Sequence, residues 1–182
     1  MVFSRSLACR TEEQWLAMLP TIRRARYGVI ETAGGSLQAV HVRRFPKWIA
    51  LPELWPVAKR YHESGMPDRC LLYFNQPRSC PNFLALKYVA STQATSYATF
   101  RAAIATLDAL AAEKGIDALV CDAANSRLSD RFLARQGWEK HKPQRWHRNF
   151  IKRFYGEYPK ITVPVERRST PLLATNGACY TT

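Results

Sequence analysis

The sequence predicts a single α/β domain, a central mixed β-sheet flanked by helices, and three observations carry that expectation. Residues 69–75 and 82–90 are two apolar, aromatic-rich runs with the length and composition of neighbouring strands. Over 99–114, Phe100, Ile104, Leu107, Leu110 and Ala111 repeat at helical spacing, and Gly115 supplies the stop. Directly afterwards, 116–121 reads as a short buried strand. Strand, helix and strand at these lengths make a parallel crossover unit.

Taken in order, residues 1–35 read as an N-terminal helical segment. Thr11 followed by Glu12, Glu13 and Gln14 is a cap with acids in the first turn, and Trp15, Leu16, Leu19 and Ile22 mark one face of a helix over 11–26. Pro20 predicts a kink or an early stop. Gly34-Gly35 is a turn, and 36–45 alternates as a strand with two competing registers, Leu37, Ala39 and His41 against Val40 and Val42. A helix is expected over 46–65, its better half opened by Pro52-Glu53-Leu54-Trp55 and closed by Gly65. The strands 69–75 and 82–90, joined by the loop 76–81, belong at the sheet centre. Beyond 116–121, Asn125 or Ser126 caps a short helix carrying Leu128, Phe132 and Leu133 that stops at Gly137. Residues 138–142 and 147–154 form a hairpin about Pro143-Gln144. Residues 36–158 thus make the α/β domain, and 159–182, with Pro164, Pro171 and a Thr-Asn-Gly-Ala run, read as a disordered tail.

Composition narrows the function classes. With 182 residues and 47% apolar content the chain can bury one core. No apolar run approaches the roughly 18 residues of a membrane span, and the residues before Arg10 lack a continuous apolar stretch, so a cytoplasmic protein without a membrane partner is expected. Five cysteines without a C-x-x-C pair indicate neither a disulfide framework nor a zinc site, and Cys121 reads as a small hydrophobe within its strand. The net charge is +13. It is concentrated over 131–153, where Arg131, Arg135, Lys140, Lys142, Arg145, Arg148, Lys152 and Arg153 meet a single acid, Glu139, besides nothing of like sign. Such a field attracts polyanions. A coenzyme, a nucleic acid and a merely solvated basic face are all consistent with it.

The chemistry is concentrated in the turn Gln93-Ala94-Thr95-Ser96-Tyr97-Ala98, where an apolar strand hands over to a helix. The first amides of a helix have no intrahelical partner, and the helix dipole places partial positive charge beside them. A diphosphate suits that place. An ordinary strand-to-helix loop with a Ser or Thr cap fits the same residues.

Gln-x-x-Ser-x-Ala at 93–98 resembles the Gln/Arg-x-x-Gly-x-Gly/Ala pyrophosphate loop of the GNAT superfamily of acyl-CoA-dependent N-acyltransferases, with serine in place of one glycine. Asn125, the short helix after it and Gly137-Trp138 resemble that superfamily's Asn-led helix ending in Gly-Phe. The order of loop, helix, strand, helix and Gly-aromatic over about 83–153 is also the family's. The resemblance implies a GNAT-like fold and acetyl-CoA or another acyl-CoA as co-substrate, with an amine acceptor. It implies that the amides between Gln93 and Ala98 hold the pyrophosphate, that a main-chain N–H around Tyr88, Val89 and Ala90 faces the thioester carbonyl, and that Asn125 lies near the pantetheine arm.

The chain also departs from the family. Leu133 stands where many members carry a tyrosine that protonates the leaving thiolate, neighbouring Phe132 has no hydroxyl, and 85–90 lacks the frequent glutamate base, with Lys87 its only charged residue. Proton transfer then falls to other groups, with His147 the first choice as base and Tyr97 a candidate from the loop, or catalysis is absent. A catalytically inactive GNAT-like fold is therefore one alternative. A basic, aromatic nucleic-acid surface built from 138 and 145–155 is the other.

Overall fold

The computed structural model describes residues 5–45, 68–92, 94–123, 129–142, 148–159 and 163–165. The elements are β1 (Arg5–Ala8), α1 (Glu12–Arg24), β2 (Tyr27–Ala33), β3 (Ser36–Arg43), β4 (Arg69–Asn75), β5 (Phe83–Ser91), α2 (Tyr97–Glu113), β6 (Ala118–Asp122), α3 (Asp130–Arg135), β7 (Glu139–Lys140) and β8 (Asn149–Arg153). The strands form one mixed eight-stranded sheet in the order β1-β3-β2-β4-β5-β6-β8-β7. β5 and β6 pair in parallel, joined through α2, and the other neighbours are antiparallel. The two strands expected at the centre lie there.

Local chemistry explains the helices. Thr11 caps α1 through a reciprocal box: its hydroxyl accepts the Gln14 N–H at 3.3 Å, while the Gln14 carbonyl oxygen accepts the Thr11 N–H. Pro20 sits inside α1 without ending it, because the carbonyl it leaves unbonded belongs to Leu16 on the exposed side, where water can reach. Trp15, Met18 and Ile22 turn inward. The Lys114 ammonium donates to the carbonyls of Ile22, Arg23 and Ala25 at 2.8–3.2 Å, tying the end of α2 to the end of α1.

Both long helices contribute to one apolar layer. Trp15, Met18 and Ile22 of α1 and Ile104, Leu107 and Leu110 of α2 pack in a cluster with Ile30, Leu37, Val40, Leu72, Phe74, Leu84, Leu86 and Leu119 of the sheet. A second, smaller cluster, Val29, Leu71, Tyr73 and Ala90 with Tyr88 against it, occupies the other face. Gly28 serves the first layer: a Cβ there would come within 2.5 Å of the Phe74 ring and 2.9 Å of the His41 carbonyl oxygen. Gly28→Ala is therefore expected to cost roughly 1–3 kcal/mol by overpacking, read as a lowered urea midpoint with an unchanged slope.

Several sequence expectations change. Residues 1–35 do not form only a helical segment, since β1 and β2 join the sheet from there. The short helix is capped by Ser129, whose hydroxyl accepts the Phe132 N–H, and the expected caps Asn125 and Ser126 lie outside the described residues, as does the helix expected over 46–65. Of the tail expected to be disordered, 163–165 is placed: Val163 and Val165 pack on the core and the Pro164 carbonyl accepts the Leu37 N–H at 2.6 Å. The remainder of that tail beyond Pro159 is outside the described residues.

Candidate functional site

Among the described residues, the sheet opens where β5 and β6 part. They pair from Phe83↔Ala118 to Leu86↔Cys121, and β6 ends at Asp122 while β5 runs on to Ser91 along β4. A bulge marks the parting point. Tyr73 and Phe74 of β4 oppose Tyr88 and Leu86, leaving Lys87 as the extra residue. Its effect is visible in the side chains: Leu84, Leu86 and then Val89 join the helical layer, whereas Tyr88 and Ala90 turn to the other face.

The ladder also sets where the main chain points. Thr92 N–H donates to the Arg69 carbonyl at 3.1 Å, so residues directly opposite in this register alternate from that pair. Ala90 and Tyr88 bond to β4, and Val89 and Ser91 direct their N–H groups away from it, toward the side β6 has left. This opening lies at the carboxyl ends of two parallel strands and at the start of α2, the general location of ligands in open α/β sheets.

The start of α2 is held more tightly than its sequence suggests. Ser96 is the N-cap and accepts the Thr99 N–H at 3.1 Å. The Asp68 carboxylate accepts the Ser96 N–H at 2.6 Å and the Ser96 hydroxyl at 3.0 Å. Thr95 N–H donates to the Thr92 carbonyl, and Thr99 Oγ1 accepts the Gly35 N–H at 2.7 Å. Two of the amides assigned by resemblance to a pyrophosphate, those of Thr95 and Ser96, are thus bonded within the protein. Ala94 is exposed, and the Tyr97 and Ala98 amides have no partner among the described residues.

Asp68 occupies the position an anionic ligand would take. Burial works to raise its pKa, yet hydrogen bonds from the Ser96 backbone and from Thr99 and Ser96 side chains hold the carboxyl below its ordinary value. Its φ of 42° is in the left-handed region, where a non-glycine residue is uncommon. Asp68→Asn is expected to lower stability by about 1–2 kcal/mol at neutral pH, since it removes a charged acceptor at a helix N-terminus. A lowered folded pKa contributes stability above the unfolded value, lost as pH falls through the folded one. The wild-type and variant unfolding midpoints should therefore converge below about pH 4.

Tyr97 opens α2 and is 55% exposed. Its ring meets Phe132 of α3 edge-on at 5.6 Å, with the Arg101 guanidinium 5.8 Å from its centre. Tyr88 packs on Tyr73 at 5.8 Å, and burial raises its pKa. Leu133 is 2% exposed in the core, so that position offers neither a hydroxyl nor access. Gln93, Asn125 and His147 lie outside the described residues. Cys121 is half-buried, and burial pushes its thiol to about 12, which suits a packing role.

Much of the basic stretch is neutralised at home. Asp130 pairs with Lys140 at 2.7 Å and with Arg148, Glu139 with Arg153 at 2.6 Å, and Asp108 with Lys152 at 2.7 Å. Trp138, Phe150 and Phe154 are 2–3% exposed and belong to the core, so their rings cannot stack on bases. Tyr155, at 82%, is the exposed exception among the described aromatics of this stretch.

Asp68 is the site residue that sequence reasoning missed. No local pattern marks it, because its partner Ser96 is 28 residues away and the contact exists only once β4 and β5 have paired. Fold and opening define the class as an α/β protein with a mixed eight-stranded sheet. Comparison with protein-family models, curated proteins and solved structures found no match to the chain. No helix among the described residues is long and apolar enough to cross a membrane.

Proposed function

We propose that this chain is a GNAT-type N-acyltransferase that takes acetyl-CoA or another acyl-CoA along β5 and passes the acyl group to an amine. The observation that carries this reading is the Val89 N–H directed into the opening beyond the Lys87 bulge. A thioester carbonyl lying along β5 would accept that N–H, and the oxyanion that develops on amine attack would gain most from a donor already fixed in place. The amine nitrogen bonds to the carbonyl carbon, the carbon–sulfur bond breaks and the thiolate leaves with a proton. Tyr97, exposed at the same mouth, is the described side chain suited to supply it, and His147 is the base the sequence offers. Of the loop amides that the resemblance assigns to the diphosphate, those of Tyr97 and Ala98 are left for it, and the Asp68 carboxylate at the same helix end opposes its charge.

A second reading, a GNAT-like scaffold without turnover, draws on Asp68 at the helix terminus and Leu133 in the core. One experiment separates them. Acetyl-CoA at 100 times its dissociation constant should stabilise the chain by about 2.7 kcal/mol in thermal unfolding, and release of free thiol is followed over a panel of amines. A shift with thiol release supports transfer, and a shift without it supports the scaffold. No shift removes the coenzyme from both. A shift caused only by a single-stranded oligonucleotide, collapsing with added salt, would move the function to the basic hairpin.

A further inference from the structure

At the first edge of the sheet, far in strand order from the opening, the register assembles a second constellation. Cys9 N–H donates to the Gln38 carbonyl at 2.8 Å, which makes the next-but-one pairs toward the start of β1 hydrogen-bonded and leaves Ser6 and His41 opposed at a non-bonded position. Side chains at such positions approach most closely. The Ser6 hydroxyl accordingly lies 2.8 Å from His41 Nδ1, and His41 Nε2 lies 2.7 Å from Glu31 Oε2 on the next strand. Arg69, from the strand after that, holds the other Glu31 oxygen at 2.5 Å. Ser6 is exposed, whereas the side chains of His41 and Glu31 are only 12% and 15% exposed.

We propose that Ser6, His41 and Glu31 act as a serine-nucleophile triad on small, activated carboxylic esters. A triad is defined by roles and distances, and each role is filled. Glu31 accepts a hydrogen bond from His41 Nε2–H, which stabilises the tautomer that leaves Nδ1 a lone pair facing the Ser6 hydroxyl. Hydrogen bonding from His41, with help from Arg69, holds the Glu31 carboxyl below its ordinary pKa, so it stays anionic for that task. The alternation that pairs Ser6 with His41 also turns the Ser6 N–H out of the free edge of β1, where it has no partner among the described residues. That N–H is placed to receive the developing oxyanion. Ala8 and Ala39, the next opposed pair on this face, keep the floor beside Ser6 low.

In the first step Oγ bonds to the acyl carbon and its proton passes to His41 Nδ1. The tetrahedral adduct collapses, the carbon–oxygen bond to the leaving alcohol breaks, and that alcohol takes the proton from His41. Water then attacks the acyl-serine, giving its proton to His41, and the acid departs as Ser6 recovers that proton. Ester and water become acid and alcohol, with no other reactant. Ser6 and His41 are the catalytic residues, and Glu31 and Arg69 position them.

The test uses a fluorophosphonate probe on the purified full chain, with the adduct located by peptide mass spectrometry. A single adduct on Ser6 is expected, lost in Ser6→Ala and formed at least ~10²-fold more slowly in His41→Gln. Glu31→Gln should slow labelling while leaving the adduct on Ser6, and Glu31→Asp should restore part of the rate. No adduct on Ser6, or equal labelling rates in wild type and His41→Gln, overturns the proposal. If His41→Gln does not fold, wild-type labelling is compared below and above its thermal midpoint. Reaction of Ser6 undiminished in the unfolded chain would show an ordinary serine.

Discussion

Lys152→Met should lower the thermal midpoint by roughly 10 °C. Lys152 on β8 and Asp108 on α2 form an ion pair at 2.7 Å with side chains 10% and 7% exposed. Removing one member of a buried pair strands the other charge at a cost of about 3–5 kcal/mol, and a chain of this size loses about 2–4 °C per kcal/mol. The stranded group here has a poor alternative. Among the described residues Asp108 Oδ1 has no hydrogen-bond partner, and the carboxyl's pKa is pushed up by burial against the pull of Lys152.

That direction fixes the pH dependence of the variant. An acid whose folded pKa is raised contributes stability below its unfolded pKa and loses it as pH rises through the folded value. Without Lys152 the upward push goes unopposed, so the deficit of Lys152→Met should shrink in mild acid as Asp108 takes a proton. The double variant Asp108→Leu/Lys152→Met should recover most of the loss, because two apolar groups of similar size leave no charge behind. Urea unfolding of the two single variants and the double variant at pH 7 and pH 5 checks all three statements. Additive single-variant losses, with no recovery in the double, would show that the pair contributes only through packing.

If the chain carries out the proposed acyl transfer, Val89→Pro should reduce its second-order rate constant by about 10²–10³-fold, the loss typical of removing one oxyanion donor. Proline removes the N–H at that residue, fixes its φ and restricts Tyr88 before it to extended backbone, and it is tolerated in strands where the N–H side is unpaired. Among the described residues Val89 meets that condition, because Tyr88 and Ala90 carry the bonds to β4. Val89→Ala retains the N–H and loses only part of a side chain at the helical layer, so its rate should stay within a few-fold of wild type. Measuring both variants against one amine, with the acetyl-CoA dissociation constant taken separately, distinguishes a lost donor from lost packing. Equal rate losses in the two would remove Val89 from the proposed chemistry.

The contrast between these residues marks what could be read without a fold. Thr11 and Gln14 cap α1 across three residues, Ser96 sits at the start of α2, and the apolar repeats of α2, β4 and β5 lie within single segments. Contacts that close within a turn or along one strand leave a local pattern. β2 was missed because Glu31 interrupts its apolar run, and that charge is tolerated only through His41 and Arg69 from two other strands. β1 is four residues long and mostly exposed, so no alternation marks it.

The amino-acid sequence alone determined the α/β class, the central strand pair and the long crossover helix, because hydrophobic periodicity and capping act over a few residues. Tertiary structure decided the strand order, the Lys87 bulge that turns the Val89 N–H outward, the carboxylate of Asp68 at the start of α2 and the meeting of Ser6, His41 and Glu31. Each of these depends on pairing between distant segments. Register across a sheet is set by the sum of many side-chain choices, and no single stretch of chain carries it.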